Sequence, residues 1–340
     1  MKKRIAVLFG GEGVEYEVSR LGAECLSQYI DRELFDTVSV EISRQGDWYL
    51  TENGERLPVY PARVQGDSGL ILNGALMHVD AVFPLLHGEM GEDGNVQGAL
   101  RTAKLPFVGC TTLSGAIASD KIVMKAVARA LGIAVARDVS LFERDPEHPN
   151  VERARELAER EIGYPMFIKP SGLGSSVGAA AVFDRESFSD IYSTASRLGL
   201  GRILIEEYVS PRRELECAWF EYTGGIFISE PAEIKCEASF YSYDEKYGKD
   251  STVKLIPRAD IPQSISSAAR LNTARLAEFI GCRDLCRADF FLAGDRLVFN
   301  EINTMPGMTK ASLWLRLAEG TGLSKTEIVT ELLRSAISRQ

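Results

Sequence analysis

The chain has 340 residues, of which 45% are hydrophobic and 26% charged, a composition typical of a globular protein with two or three domains. Its formal net charge of −9, without any basic block, argues against nucleic acid or an anionic membrane surface as a partner. No apolar run approaches the roughly 18 residues that a membrane helix requires, so no membrane-spanning segment is predicted.

The N-terminal third of the sequence predicts an α/β domain in which buried strands alternate with helices. Residues 5–9 form an apolar run before a glycine turn, and apolar residues then recur at helical spacing. The run at 81–86 is typical of a parallel strand buried on both faces, and Asp93 is positioned to cap the next helix. With further strands at 38–42 and 105–108, we expect a doubly wound domain over about residues 1–112.

A smaller α+β domain is predicted for about residues 113–209. Residues 113–131 have the pattern of one long helix that ends at Gly132, and Asn150 caps a second helix that ends near Gly163. Strands are predicted at 166–169, 177–183 and 203–209.

Longer strands are typical of the remaining sequence, which we expect to form a C-terminal domain over about residues 210–340. They are predicted at 215–222, 226–234, 285–292 and 297–302, with a helix at 264–280. Residues 237–254 are polar and aromatic without a sustained period. A loop of that length in a compact domain favours a lid.

The most informative segment is the predicted hairpin that ends at Asn303, because it should bring acidic side chains face to face. With a three-residue turn at 294–296, Asp289 lies opposite Glu301 and Arg287 lies opposite Asn303. Directly opposed side chains lie about 4.5–5.5 Å apart at Cβ, where two like charges are destabilising. A hard cation such as Mg²⁺ would remove this conflict, with Asp289, Glu301 and Asn303 as oxygen ligands. The alternative is an exposed sheet face whose carboxylates form salt bridges with nearby Arg or Lys.

A tight turn follows these predicted ligands and contains Gly307. Glycine at such a position lets a backbone N–H approach a reacting group closely. Arg287 would lie beside the turn. An arginine and a free backbone donor next to a metal suit the stabilisation of negative charge during acyl transfer.

The segment 169–178 is rich in Gly and Ser, so its backbone N–H groups are free to bind phosphate, and Lys169 adds a positive charge. It is not a Walker loop, because the lysine precedes the glycines. An ordinary surface turn remains the alternative.

Other polar residues have a functional and a structural interpretation each. His87 follows a predicted parallel strand, where α/β sheets bind ligands, but a structural histidine is the alternative. Glu15 at a helix start is usually a capping charge. Lys246 and Tyr247 lie in the long loop, where a solvated position is the default.

Short motifs in this order resemble the D-alanine–D-alanine ligase family of the ATP-grasp fold and cover nearly the whole chain. They are Phe9-Gly10-Gly11 with Glu15-Tyr16-Glu17-Val18-Ser19, Leu86-His87-Gly88 with Gly91-Glu92-Asp93-Gly94, Ser119-Asp120-Lys121, residues 169–178, Leu204-Ile205-Glu206-Glu207, Phe240-Tyr241 with Glu245-Lys246-Tyr247, Arg287 with Asp289, and residues 300–309. Each motif is short, but their common order at family spacing is specific. The resemblance implies a three-domain ATP-grasp architecture within the α/β class.

The resemblance also implies the following site residues. ATP would be bound by Lys121, Lys169, Ser176, Glu206, Glu207, Val209, Glu214, Lys246 and Phe291. Two Mg²⁺ ions, or Mn²⁺ in their place, would be held by Asp289, Glu301 and Asn303. Catalysis would use Glu15, Ser175 and Tyr247, which tie the lid shut, and Arg287 with Gly307, which form an oxyanion hole. The amino acids would contact His87, Tyr241, Ser312 and Leu313.

The implied reaction joins two D-alanine molecules through a D-alanyl phosphate, for peptidoglycan precursor synthesis. D-serine or D-lactate as the second substrate is an alternative, which side chains near Met305 and Leu313 are expected to decide. A nucleotide-binding regulator without catalysis is a more distant alternative.

The expected partners are therefore small D-amino acids, with a homodimer implied by the resemblance. A cytoplasmic location is expected, because the basic start of the chain is followed by too short an apolar run for a signal peptide. The scattered cysteines also fit reduced, buried thiols.

Overall fold

The computed structural model describes residues 2–235, 254–310 and 312–339, whose strands form three sheets. The strands are β1 Lys3–Gly10, β2 Phe35–Ile42, β3 Trp48–Glu52, β4 Glu55–Val64, β5 Asp67–Leu72, β6 Ala75–His78, β7 Ala81–Pro84, β8 Asp138–Phe142, β9 Met166–Pro170, β10 Ala180–Val182, β11 Arg202–Glu207, β12 Arg213–Tyr222, β13 Gly225–Ile228, β14 Ala232–Lys235, β15 Lys254–Ile256, β16 Leu285–Ala293 and β17 Arg296–Asn303. The helices are α1 Tyr16–Leu26, α2 Asn95–Thr102, α3 Thr112–Ser119, α4 Lys121–Ala130, α5 Val151–Glu161, α6 Arg185–Leu198, α7 Gln263–Ile280, α8 Trp314–Ala318 and α9 Lys325–Ile337. None of the helices in these described residues is long and apolar enough to cross a bilayer.

The first sheet has the order β6-β5-β4-β3-β2-β1-β7, and only β2, β1 and β7 are parallel. These three strands and α1 confirm the α/β class of the N-terminal part. Strands β3 to β6 are an antiparallel extension that the sequence analysis did not predict. The strand predicted at 105–108 is wrong, because this segment contributes only one isolated bridge, between Val82 and Phe107.

The second sheet, β10-β9-β11-β8, is antiparallel, and the third has the order β15-β14-β12-β16-β17 with β13 beside β12. The strand predicted at 226–234 is two strands, β13 and β14, that pair with opposite ends of β12. Pro231 between them lacks the N–H that a continuous ladder needs.

The single helix predicted at 113–131 is also wrong, because α3 ends at Ser119 and α4 begins at Lys121. Asp120 between them is extended, with φ −87° and ψ 104°. Its carboxylate accepts hydrogen bonds from the first free N–H groups of α4 and from Arg202. The sequence therefore has one continuous apolar period, but the capping carboxylate of Asp120 divides the segment into two helices.

Two predicted helix caps have different outcomes. Asn150 caps α5 as expected, since its side chain accepts from Arg153 N at 3.2 Å. The cap of α2 is Gly94, with φ +94°, and not Asp93. The Asp93 carboxylate instead accepts from Asn95 N at 3.0 Å.

The hairpin of β16 and β17 confirms the predicted pairs, Asp289 with Glu301 and Arg287 with Asn303. These side chains lie on the face of the third sheet that is turned toward the second sheet and its glycine-serine loop. The hairpin therefore holds the acidic residues where the sheets approach each other.

The route to this register differs from the prediction. Ala293 pairs with Arg296, so the turn has two residues rather than three. The pairing shifts between Asp289 and Phe290, where Asn300 is the extra residue of a β-bulge. The shorter turn and the bulge cancel, and the acidic pair stays in register.

Helices α3 and α4 pack on the third sheet and on α7, although they were assigned to the central part of the chain. Ala118 and Met124 share a core with Phe290, Phe299 and Ile302. The second sheet has its own core, formed with α5 and α6. The domain boundaries near residues 112 and 209 stay predictions.

Candidate functional site

Two clefts that share a wall lie where the three sheets approach each other. The first, of about 940 Å³, is lined by the second and third sheets, and the second, of about 1080 Å³, also reaches the first sheet. The shared wall consists of Lys121, Gly174, Ser175, Glu216, Ile234, Arg287 and Glu301. A group held in one cleft therefore faces a group held in the other across charged side chains.

The first cleft combines aromatic rings with cations. The Lys169 ammonium lies 5.9 Å from the ring centroid of Phe167. The Arg212 guanidinium lies 5.3 Å from the ring of Tyr208 and 4.8 Å from that of Phe291. Such a lining suits a ligand with a flat ring at one end and negative charge at the other. The predicted nucleotide residues that line it are Lys121, Lys169, Ser176, Glu206, Glu207, Val209, Glu214 and Phe291.

A buried charge cluster lies beneath this cleft. Glu206 accepts from Lys125 Nζ at 2.7 Å and from Lys169 Nζ at 2.6 Å. Burial alone would raise the pKa of Glu206, but Lys169 and Lys125 lower it to about 2. Lys125 is also 3.7 Å from Asp138, which pairs with Arg129. The Glu206 carboxylate is therefore engaged by lysines and stays ionised.

Two other acidic residues of the first cleft are paired with arginines. The Glu207 carboxylate is bound by Arg137 and Arg296. Burial raises the pKa of Glu207, but the two arginines lower it by more than burial raises it. The pKa therefore lies below its ordinary value. Glu214 lies 3.3 Å from Arg212.

The glycine-serine loop has an unusual backbone at two consecutive serines. Ser175 and Ser176 have φ of 47° and 62°, in the left-handed region that non-glycine residues rarely adopt. The Ser175 hydroxyl donates to Glu15 at the start of α1. A Cβ on Gly88 would lie 2.2 Å from Glu15 Oε2, so this carboxylate has room only because residue 88 is glycine. Glu15 and Ser175 therefore link the first sheet to the loop over the second.

Three carboxylates stand side by side across β12, β16 and β17, and we call Glu216, Asp289 and Glu301 the acidic row. Arg287 binds both carboxylate oxygens of Asp289 at 2.7 Å and lies 3.3 Å from Glu216. Lys121 lies 3.5 Å from Glu301. Burial lowers the pKa of Arg287, but the acidic row raises it well above its ordinary value. The predicted face-to-face acids are confirmed, and so are the salt bridges that the alternative reading expected.

The residues predicted to hold metal offer oxygen atoms that suit a hard cation. Asp289 and Glu301 supply carboxylates, and Asn303 supplies an amide oxygen that accepts from Met305 N at 2.9 Å. Within the described ranges, no three His, Cys, Asp or Glu side chains converge as ligands on one point. Arg287 and Lys121 hold the carboxylates instead, so a divalent cation would have to replace these ion pairs.

The second cleft contains a buried histidine. His87 has its Nδ1 3.6 Å from Glu92, and its Nε2 has no hydrogen-bond partner in the part of the chain that is described. Burial lowers the pKa of His87, but the carboxylates of Glu92 and Glu15 raise it above its ordinary value. The buried imidazole therefore lies among acidic side chains at the wall of the second cleft.

Gly307, Ser312 and Leu313 line the same cleft. A Cβ on Gly307 would lie 2.7 Å from Ser312 Oγ, so a larger residue here would displace the Ser312 hydroxyl. Leu313 is an apolar wall. The Met305 side chain is buried against Gly109 and does not itself line the cleft.

Three predicted residues, Tyr241, Lys246 and Tyr247, lie outside the described residues. The sequence analysis missed Lys125, Glu92 and Glu216 as parts of the site. Lys125 follows Lys121 by one helical turn, and Glu216 lies two residues after Glu214, on the same face of β12. These spacings were the available signals.

Comparisons with known proteins match nearly the whole chain. The family model "D-ala D-ala ligase N-terminus" matches residues 4–110, and "D-ala D-ala ligase C-terminus" matches residues 127–334. The D-alanine–D-alanine ligase of Deinococcus radiodurans is 37% identical over 345 residues, covering 100% of both chains. The D-alanine–D-alanine ligase A of Mesorhizobium japonicum is 36% identical over 359 residues, covering 99% of this chain and 98% of the relative.

Solved structures have the same architecture over the full length. The VanG D-Ala:D-Ser ligase from Enterococcus faecalis has a TM-score of 0.86 at 30% identity, covering 98% of this chain and 99% of its own. The D-alanyl-alanine synthetase A from Vibrio cholerae has a TM-score of 0.87 at 27% identity, covering 99% of each chain.

Proposed function

The chain belongs to the D-alanine–D-alanine ligase family, and we propose that it joins two D-alanine molecules into D-alanyl-D-alanine with ATP as the energy source. The dipeptide would serve peptidoglycan precursor synthesis. The observation that supports this most directly is the shared wall of the two clefts. Because the two clefts adjoin at these shared residues, a phosphate held in one cleft would lie next to a carboxylate held in the other.

ATP is assigned to the first cleft. Lys121 and Lys169 would bind the phosphates, together with Ser176 and backbone amides of the loop, whose two consecutive left-handed residues are typical of an anion-binding nest. Phe291 and Val209 would pack against the base. The carboxylates of Glu206 and Glu207 are engaged by lysines and arginines, so we assign their contribution to the backbone and to the electrostatic field. Glu214 would face the ribose, and Lys246 also remains assigned to the nucleotide.

Two Mg²⁺ ions, or Mn²⁺, are assigned to Asp289, Glu301 and Asn303. Bound there, the metal would neutralise phosphate charge during transfer. The acidic row fits this role because its carboxylates need a cation, which Arg287 and Lys121 supply in this structure. Arg287 would then be available to the reacting carboxylate.

The second cleft would hold both amino acids. Glu15 would bind the amino group of the first D-alanine, with His87 nearby, and Ser175 would fix Glu15 through its hydroxyl. The carboxylate of this D-alanine would attack the γ-phosphorus of ATP, so that the bond to the β-phosphate breaks, ADP leaves and an acyl phosphate forms; inorganic phosphate would leave in the second step. The Arg287 guanidinium and the Gly307 N–H would stabilise the oxyanion when the second amine attacks.

Ser312 and Leu313, with Tyr241, would border the second amino acid. Glu15, Ser175 and Tyr247 would exclude water that would otherwise hydrolyse the acyl phosphate.

The test is ADP release that requires both D-alanine and Mg²⁺, with the dipeptide identified by mass. ADP formation at the same rate without any amino acid would refute the proposal. ATP binding without turnover on any D-amino acid would support the regulator instead.

A D-alanine–D-serine ligase is the second candidate, because the VanG D-Ala:D-Ser ligase has nearly the same fold. The buried, apolar Leu313 favours the methyl group of D-alanine in the second site. A competition assay with D-alanine, D-serine and D-lactate, with products resolved by mass, distinguishes these second substrates. D-lactate as the preferred acceptor would contradict both candidates.

A homodimer and a cytoplasmic location are proposed from the family resemblance. Sedimentation at micromolar concentration and cell fractionation test these two points separately. Partners other than small D-amino acids and nucleotide are not expected, and nucleic acid is disfavoured by the net charge of −9.

A further inference from the structure

We propose that Lys125 is a positioning residue that keeps Lys169 available to nucleotide phosphates by sharing the counter-ion Glu206. This inference depends on one part of the proposed function, namely that a nucleotide binds in the first cleft. Lys125 itself lines neither cleft.

The geometry is a carboxylate bridging two lysines. Lys125 Nζ donates to one oxygen of Glu206 at 2.7 Å, and Lys169 Nζ lies 2.6 Å from the other. Lys125 is 1% exposed and lines neither cleft, whereas Lys169 and Glu206, 7% and 5% exposed, both line the first cleft. Lys169 also donates to Asn300 Oδ1 at 3.5 Å. Of the two lysines, only Lys169 is placed to meet a ligand.

The charges of the cluster do not balance. Lys125, Lys169 and Arg129 contribute three positive charges, and Glu206 and Asp138 contribute two negative ones, which leaves a net charge of +1. Because Lys169 is the only cation of this cluster that lines the cleft, the excess charge acts through Lys169. Without Lys125, Glu206 and Lys169 would form a neutral pair, and the cleft would lose its excess charge.

A purely structural role explains Lys125 poorly. Burying an ammonium group is costly, and apolar side chains often replace buried ion pairs without loss of stability. Burial lowers the pKa of Lys125, while Glu206 opposes this shift. The cost of burying this lysine is understandable if its charge serves the neighbouring phosphate site.

The test compares four variants of the full chain by equilibrium binding of MgATP and of adenosine, without any amino acid. Lys125→Met should weaken MgATP binding roughly tenfold, the size expected when one nearby charge is neutralised in a partly screened site. Adenosine has no phosphates, so its affinity should stay unchanged. Glu206→Gln removes the shared counter-ion of both lysines and serves as the single-variant arm against which the double variant is compared.

The double variant Lys125→Met/Glu206→Gln is decisive. Its cluster regains a net charge of +1, from Lys169 and Arg129 against Asp138, so MgATP affinity should return toward the wild type. If the two changes instead weaken MgATP binding additively, or if adenosine affinity falls with that of MgATP, the inference is wrong.

Lys125→Arg keeps the charge and should bind MgATP like the wild type. If Lys125→Met does not fold, the double variant still decides, since MgATP affinity well below that of the wild type in the double variant would overturn the proposal. A wild-type chain that does not bind MgATP would instead refute the proposed function. If the wild type binds MgATP but the MgATP affinities of the variants do not follow the net charge of the cluster, only the role of Lys125 is refuted.

Discussion

Replacing Arg287 by methionine should destabilise the ligand-free protein and make its stability depend on Mg²⁺. Arg287 is 18% exposed in its side chain and binds both oxygens of Asp289. It also lies 3.3 Å from Glu216. Methionine fills similar space but leaves the acidic row without its central cation.

The magnitude follows from the burial of the pair. Removing one partner of a buried ion pair costs about 3–5 kcal/mol, because the other charge stays buried without compensation. The side chains of Asp289 and Glu301 are 15% and 30% exposed, so water screens part of the repulsion. We therefore expect a loss near the lower end of this range, about 3 kcal/mol.

A divalent cation should restore much of this loss if Asp289 and Glu301 are metal ligands. At a free Mg²⁺ concentration of about 100 times its Kd, a cation that binds only the folded state adds about 2.7 kcal/mol. The wild type should gain less, because Arg287 competes with the cation for Asp289. The assay is urea unfolding of both proteins with and without Mg²⁺.

Arg213→Met is the matched control. Arg213 forms a two-pronged ion pair with Glu233 on the same sheet, at 2.8 and 2.6 Å, but neither residue lines a cleft. Its stability should not respond to Mg²⁺. If Mg²⁺ stabilises Arg287→Met no more than Arg213→Met, the assignment of the metal to the acidic row is refuted.

Three further changes test other parts of the site. Gly307→Ala should lower kcat about 100-fold in steady-state assays, because the new Cβ would lie 2.7 Å from Ser312 Oγ and shift an oxyanion donor. Adding Ser312→Ala removes that contact and should recover part of the rate. Ser175→Ala should raise the KM for the first D-alanine about tenfold or more, since Glu15 loses a hydrogen bond, and an unchanged KM would contradict the link. The Glu206 pKa of about 2, against an ordinary 4.5, means that its ionised form stabilises the fold by about 3 kcal/mol above pH 4.5 and that this is lost as the pH falls toward 2. Glu206→Gln should therefore flatten the decline of the unfolding free energy between pH 4.5 and pH 2, measured by urea titration at each pH.

The sequence alone was sufficient where a pattern is local. The alternation that places Arg287 and Asp289 on one face of β16, and Glu301 and Asn303 on one face of β17, followed from the two-residue period of strands. The helix that Asn150 caps followed from capping preference. The family and the order of its motifs could also be read from the residues, because each motif is contiguous.

Local patterns also misled. The single helix at 113–131 is broken by Asp120, whose carboxylate is bound by Arg202, a residue 82 positions away that no local window includes. The predicted three-residue turn before Leu297 was wrong, and only the bulge at Asn300 kept the acidic pair in register.

Residue types and spacing thus determined which side chains could carry the chemistry, since composition and periodicity are properties of the chain. Which charges neutralise one another was decided only by the tertiary structure. Lys125 on α4 and Glu206 on β11 are 81 positions apart, and the fold brings them within 2.7 Å of each other. Arg287 meets Glu216 because β12 and β16 are neighbours in the sheet. Electrostatic interactions depend on distance in space and on burial, and folding sets both.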